Sequence, residues 1–194
     1  MGPLPAELAA QVLAPGAIRL GQHATDKWDV LRRSAVVLEQ AGAVDPGYGE
    51  AMVERENSVS TYLGEGVAIP HGTNASRALV HRTALGFLQF PDGVDWGLDS
   101  GDRVVVAIPI AAVGNEHMAL LAALAEVLVD PDRAAALRGA TSAEAVLAVL
   151  RGTDAPDGAP ARTMDGATPD AATPDAGTPR GDERAAGERE GVVR

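Results

Sequence analysis

The 194-residue chain contains no cysteine. That absence excludes a disulfide framework and any thiolate metal centre, and it allows a reducing compartment. No apolar run approaches the roughly 20 residues that a membrane-spanning helix needs. Clustered Lys and Arg are also missing, and the net charge is −11. Residues 152–194 hold nine acids and five arginines, a share of −4 that leaves −7 for the body. Acidity in both parts argues against a nucleic-acid surface and against direct binding to anionic membranes. The start, Met-Gly-Pro-Leu-Pro-Ala-Glu-Leu, lacks a basic region followed by an apolar core. No secretory signal is expected, and a cytoplasmic location is.

What is present suits one core-forming domain with something left over, since hydrophobic residues make up 46% of the chain. The expected domain covers residues 1–151, with its core from about 15 to 151. From Gly152 the character changes to Gly, Pro, Ala, Asp, Thr and Arg, including Ala-Thr-Pro-Asp-Ala-Ala-Thr-Pro-Asp-Ala-Gly-Thr-Pro from Ala167 to Pro179. Such a segment offers too little apolar surface to offset the entropy of ordering, so residues 152–194 read as a disordered tail, either a linker or a solubilising extension.

Within the body, strand and helix signals alternate. Residues 1–14 allow a short amphipathic turn or two, and Ala17 to Leu20 reads as a first strand. Thr25 can cap a helix from Asp26 to about Gln40, with Trp28, Leu31, Ala35 and Leu38 on its buried stripe and Gly42 past its end. Asp45-Pro46 gives a second start signal, for a helix to about Glu56. Residues 83–90 read as a buried strand entering a Pro91-Asp92-Gly93 turn, with Val94 to Trp96 as a second arm. Arg103 to Pro109 is apolar enough to be central in a sheet. Asn115 can cap a helix whose apolar face carries Leu120, Leu121, Leu124, Val127 and Leu128. Asp130-Pro131 opens another, and Thr141-Ser142-Ala143-Glu144 has the capping-box pattern of a last one, to about Leu150. Alternation of this kind predicts an α/β fold, a mixed β-sheet flanked by helices.

The chemistry-bearing stretch runs from Glu54 to Thr73. Pro70 pushes Ile69 towards extended geometry, so Val67, Ala68 and Ile69 read as a short buried strand that delivers His71 to its carboxyl end, where ligands gather in open α/β sheets. Gly72 leaves the imidazole uncrowded. Local sequence equally allows a hydrogen-bonded turn histidine, and Arg55 by itself reads as a solvated cation favoured at a helix C-terminus.

Several stretches taken together carry more. Glu54-Arg55-Glu56, Ser60-Thr61-Tyr62-Leu63-Gly64, Ala68-Ile69-Pro70-His71-Gly72-Thr73 and Asn115-Glu116-His117 resemble, in order and spacing, the enzyme IIA domain of the mannitol branch of the phosphoenolpyruvate-dependent sugar phosphotransferase system. The resemblance runs from about Ile18 to Leu150. It implies His71 as the phosphoryl acceptor, forming a tele-phosphohistidine, with His117 and Arg55 as supports. It also implies a phosphotransferase that takes its group from HPr and passes it to a cysteine of enzyme IIB in a mannitol transporter (IIBC), touching the membrane only through that partner. No cofactor and no metal are implied.

The residues permit this chemistry. An imidazole attacks phosphorus only through an unprotonated, presented nitrogen, and the phosphorylated product needs donors such as a helix N-terminus, an arginine fork or a second imidazole. A shallow, partly apolar rim suffices, because transfer between two protein side chains is mainly positioning and electrostatics. His23 and His81 read as surface residues. Asp92, Asp95 and Asp102 fall where turns favour Asp and lack calcium-loop spacing. Two other classes stay open: a regulatory protein, fructose- or nitrogen-type, acting through the phosphorylation state of His71, and a small metal module using His71 and His117.

Overall fold

The computed structural model describes residues 12–153 except 98–100, 102 and 115, and it describes Pro15 and His117 without their side chains. Of the amphipathic turns expected within 1–14, residues 1–11 lie outside the described residues, as do the capping role of Asn115, Asp102 and, of the tail expected over 152–194, residues 154–194. Among the described residues, five strands form one mixed sheet in the order β1-β5-β6-β3-β2. They are β1 (Ile18–Arg19), β2 (Tyr62–Gly64), β3 (Val67–Ala68), β5 (Phe87–Asp95) and β6 (Arg103–Ala107). Two further strands, β4 (Ala84–Leu85) and β7 (Ile110–Ala111), form a small antiparallel ribbon. Helices α1 (Lys27–Gln40), α2 (Tyr48–Ser58), α3 (Glu116–Val129), α4 (Pro131–Arg138) and α5 (Ala143–Arg151) flank the sheets.

As its run of valines predicts, β6 takes the middle of the sheet, antiparallel to β5 and parallel to β3. Val104, Val106 and Ala107 are fully buried there, with Phe87 and Phe90 from β5 and Trp96 just beyond it. Leu124 and Val127 of α3, Leu137 of α4 and Val146 of α5 join the same core. A second, smaller cluster joins Ala35 and Leu38 of α1 to Tyr48 and Met52 of α2 and to Ala84 and Ala111 of the ribbon.

Several boundaries differ from expectation for local physical reasons. Helix α1 is capped by Asp26, whose carboxylate accepts from the Asp29 amide, and not by Thr25. A carboxylate is the better acceptor for an N-terminal amide. Its buried residues are Val30, Leu31, Ser34, Ala35, Val37 and Leu38, while Trp28 is only partly buried and stacks beneath Lys27 at 4.8 Å. The Asp45 side chain does not cap α2: its carboxylate takes the ring Nε2 of His81 at 2.8 Å, and the helix starts later, after Gly47 with φ 98°. At the last helix the cap is Ser142, accepting from the Ala145 amide, so the Thr141–Glu144 box is unused.

The expected Pro91-Asp92-Gly93 turn is instead a bulge inside β5. Pairing with β6 shifts register between Gln89 and Val94, Pro91 has no amide to contribute, and Gly93 adopts φ 66° with its carbonyl accepting from Arg103 at 2.8 Å. The single strand expected over 83–90 breaks at Gly86, where a Cβ would come within 2.8 Å of Pro109 and 2.9 Å of Val37. The chain crosses there from the ribbon to the main sheet. His23 and His81 are surface residues as expected, with side chains 81% and 52% exposed, and His23 pairs with Asp92. No helix among the described residues is long and apolar enough to cross a membrane.

Candidate active site

Strands β3 and β6 run parallel, with Ala68 opposite Ala107, so both carboxyl ends point the same way. The pairing continues beyond the strands: Ile108 N–H donates to the Ala68 carbonyl, Ile110 N–H donates to that of Pro70, and His71 bridges Ile110. Pro70 contributes only an acceptor, which fixes the direction of this last rung. His71 therefore sits at the end of the central parallel pair. It is 9% exposed.

The ring is oriented by its own backbone. Nδ1 lies 2.8 Å from the Ile69 carbonyl oxygen. A carbonyl can only accept, so Nδ1 carries the proton and donates it, and in the neutral ring the unprotonated nitrogen is Nε2. That nitrogen carries the lone pair of the neutral ring.

Behind the histidine stands Tyr48, in the first turn of α2. Its hydroxyl accepts from the Gly72 amide at 3.0 Å and donates to the Ile110 carbonyl at 2.9 Å, tying together the two segments that meet at the bridge. Burial pushes the Tyr48 phenol above its ordinary value, against a smaller lowering by the Gly72 amide. Ser76 closes the turn by donating to the Thr73 carbonyl at 2.8 Å. Beside these groups lies a cavity of about 30 Å³, lined by Tyr48, Gly72, Thr73, Ser76, Arg77 and Ala112 among others.

Arg55 lies in the last turn of α2, where its guanidinium donates to the Val59 carbonyl at the helix end. His117 lies in the first turn of α3, a short step along the chain from Ile110, and its side chain is outside the described residues. Glu116, beside it, accepts from the Thr83 hydroxyl, whose oxygen in turn accepts from the Val113 amide at 3.2 Å. The loop into α3 is thus anchored to the residue just before β4.

Tyr48 and the inward role of Glu56 are not among the site features expected from the sequence. The carboxylate of Glu56 is 1% exposed and accepts from the Thr61 amide at 2.7 Å, the Thr61 hydroxyl at 2.6 Å and the Ser60 hydroxyl at 3.0 Å, with Lys27 Nζ at 3.9 Å. One signal was available: a glutamate near a helix end, followed four and five residues later by two hydroxyls, has ready partners for an inward carboxylate.

Fold and site together define an α/β domain that offers an oriented imidazole at the carboxyl end of a parallel strand pair. The chain belongs to the family described as phosphoenolpyruvate-dependent sugar phosphotransferase system, EIIA 2, whose model matches residues 11–152, and it thereby falls among phosphotransferase components. It is 46% identical over 135 residues to the multiphosphoryl transfer protein of Escherichia coli O157:H7, covering 70% of this chain and 35% of that one. Among solved structures it is similar to the complex of enzyme IIA-Mtl and phosphorylated enzyme IIB-Mtl from Escherichia coli, with TM-score 0.67 and 37% identity over 72% of this chain and 96% of that one. It is also similar to the nitrogen regulatory protein IIA-Ntr from Neisseria meningitidis, with TM-score 0.64 and 27% identity over 72% and 97%. The chain spans roughly a fifth to a third of the length of the curated relatives it matches, from 18% to 35%.

Proposed function

We propose that the chain is a mannitol-type enzyme IIA in which His71 accepts a phosphoryl group from HPr and passes it to a cysteine of an enzyme IIB. The observation that carries this reading is the bond from His71 Nδ1 to the Ile69 carbonyl, which assigns the lone pair to Nε2. In the forward step the Nε2 lone pair forms the new N–P bond while the bond from phosphorus to the donor breaks, and that electron pair stays with the donor. Return transfer to a thiolate reverses the bookkeeping at Nε2. The product is a tele-phosphohistidine. Arg55 and His117 support the phosphoryl oxygens, Arg55 exchanging the Val59 carbonyl for them. Location is cytoplasmic, and contact with the membrane runs through the transporter partner.

Mannitol as the sugar is favoured by 37% identity to the IIA-Mtl structure against 27% to the IIA-Ntr structure. A second reading has its own support in the 46% identity to a multiphosphoryl transfer protein: the domain relays phosphoryl groups within a multi-step chain serving another sugar. Intact mass after incubation with phosphoenolpyruvate, enzyme I and HPr tests the common core. The natural protein is expected to gain one acid-labile phosphoryl group, His71→Ala none, and His117→Ala and Arg55→Ala to gain it more slowly. Equal labelling of His71→Ala overturns the assignment. Transfer onward to mannitol-type or fructose-type IIB then separates the two readings.

A further inference from the structure

The Ile69 carbonyl that orients His71 belongs to a residue held in turn from its other end. Ile69 N–H donates to the Thr61 carbonyl at 2.9 Å, one step beyond the Tyr62–Ala68 pair that closes the short, irregular β2–β3 ladder. Thr61 is fixed by Glu56, which takes both its amide and its hydroxyl. The carboxylate is buried, and Lys27 reaches towards it while donating to the Trp96 carbonyl at 3.1 Å. A continuous line of contacts therefore runs from the end of α2 to the imidazole: Glu56 to Thr61, Thr61 to Ile69, Ile69 to His71 Nδ1.

We propose that Glu56 is a positioning residue for His71, holding the Ile69 carbonyl where it selects the Nδ1–H tautomer and so keeps the reactive lone pair on Nε2. Little else fixes Thr61. Strand β2 lies at the sheet edge and pairs with β3 through a shifted register, so few backbone bonds define the position of Thr61. A buried carboxylate must replace the hydration it gave up with hydrogen bonds, and Glu56 does so on the amide and hydroxyl of this one residue together with Ser60. Its demand for partners therefore sets the local geometry. A one-ångström drift of the Ile69 carbonyl would weaken the bond at Nδ1, and the ring would populate the other tautomer, whose unprotonated nitrogen is Nδ1 and faces the backbone. Glu56 touches neither the donor nor the phosphoryl group. It acts only through the geometry of residues 61 and 69.

This inference rests on His71 being the acceptor, but its test does not. Long-range ¹H–¹⁵N correlation on the full chain with labelled histidine, at about pH 8 where imidazoles are neutral, reports which ring nitrogen carries the proton. The natural protein is expected to show His71 as Nδ1–H. Glu56→Ala is expected to give a mixture of tautomers, Glu56→Gln, which keeps one acceptor oxygen, to restore most of the Nδ1–H signal, and Thr61→Val, which removes only the hydroxyl, to fall between. Phosphoryl acceptance should slow in the same order, by about ten- to a hundredfold for Glu56→Ala. Should Glu56→Ala fail to fold, Glu56→Gln and Thr61→Val decide. Folded variants that keep His71 entirely as Nδ1–H overturn the proposal, even if their transfer is slow. Natural protein that never takes up a phosphoryl group, with variants that still change tautomer, overturns the assigned function and leaves the positioning role intact.

Discussion

The hydroxyl of Tyr48 stands 3.0 Å from the Gly72 amide, and the donor it satisfies there belongs to the residue directly after His71. With its own proton given to the Ile110 carbonyl, this one phenol holds both sides of the bridge on which the histidine rests. Tyr48→Phe keeps the ring packing and strands a partly buried amide and a buried carbonyl. Leaving one such group unsatisfied costs about 1–3 kcal/mol. A lower urea midpoint is the expected result, together with slower phosphoryl acceptance; an unchanged midpoint would show that water replaces the hydroxyl.

The same residue predicts a pH dependence. Burial raises the Tyr48 pKa above the unfolded value of 10.0. Between the unfolded and folded values the unfolded chain has lost a proton that the folded chain keeps, so stability contributed by the neutral phenol is complete below 10.0 and declines as pH rises towards the folded pKa. Urea midpoints measured from neutral pH to beyond 10 should fall more steeply for the natural protein than for Tyr48→Phe. Parallel slopes would mean that the phenol titrates alike in both states.

Gly72→Ala tests the close packing of the turn. An added Cβ would lie 2.7 Å from Tyr48 Cε2 and would overlap Ser76 Oγ. Gly72 has no positive φ, so the penalty is steric alone, about 1–3 kcal/mol for overpacking. Gly72→Ala combined with Ser76→Ala should recover part of the loss, which a double-mutant cycle in thermal unfolding would measure.

Thr83→Val should loosen the approach to α3. The hydroxyl of Thr83 serves the Val113 amide and the Glu116 carboxylate at once, and valine keeps its shape while removing both bonds. A loss of about 1 kcal/mol is expected, with faster hydrogen exchange at Val113. Protection at Val113 equal to that of the natural protein would assign the anchoring to other contacts.

Much of this arrangement could be read from the residues alone because it rests on short-range rules. The apolar run at Val104 to Ile108 could go only to a sheet interior, Pro70 had to end an extended segment, and Asp130 before Pro131 opened α4 as expected. What escaped depends on partners distant in sequence. Asp45 meets His81 across the fold and leaves its helix uncapped, a competition that no local pattern encodes. Pro91-Asp92-Gly93 spells a turn, yet pairing on both sides with β6 keeps the chain in the strand. Tyr48 reaches Gly72 and Ile110 only once α2 has packed against the ribbon, and nothing in its neighbours along the chain announces that contact.

Strand β3, which delivers His71, lies between an edge strand synthesised just before it and β6, synthesised well after it. On a ribosome the histidine emerges without the surface on which it will rest. Its short pairing with β2 can form early, but the parallel register with Val106 and Ala107 has to wait for the β5–β6 hairpin to be complete. The segment bearing the imidazole thus docks onto a scaffold made from later sequence, and a chain halted before β6 carries every residue from Arg55 to His71 without an assembled place for them.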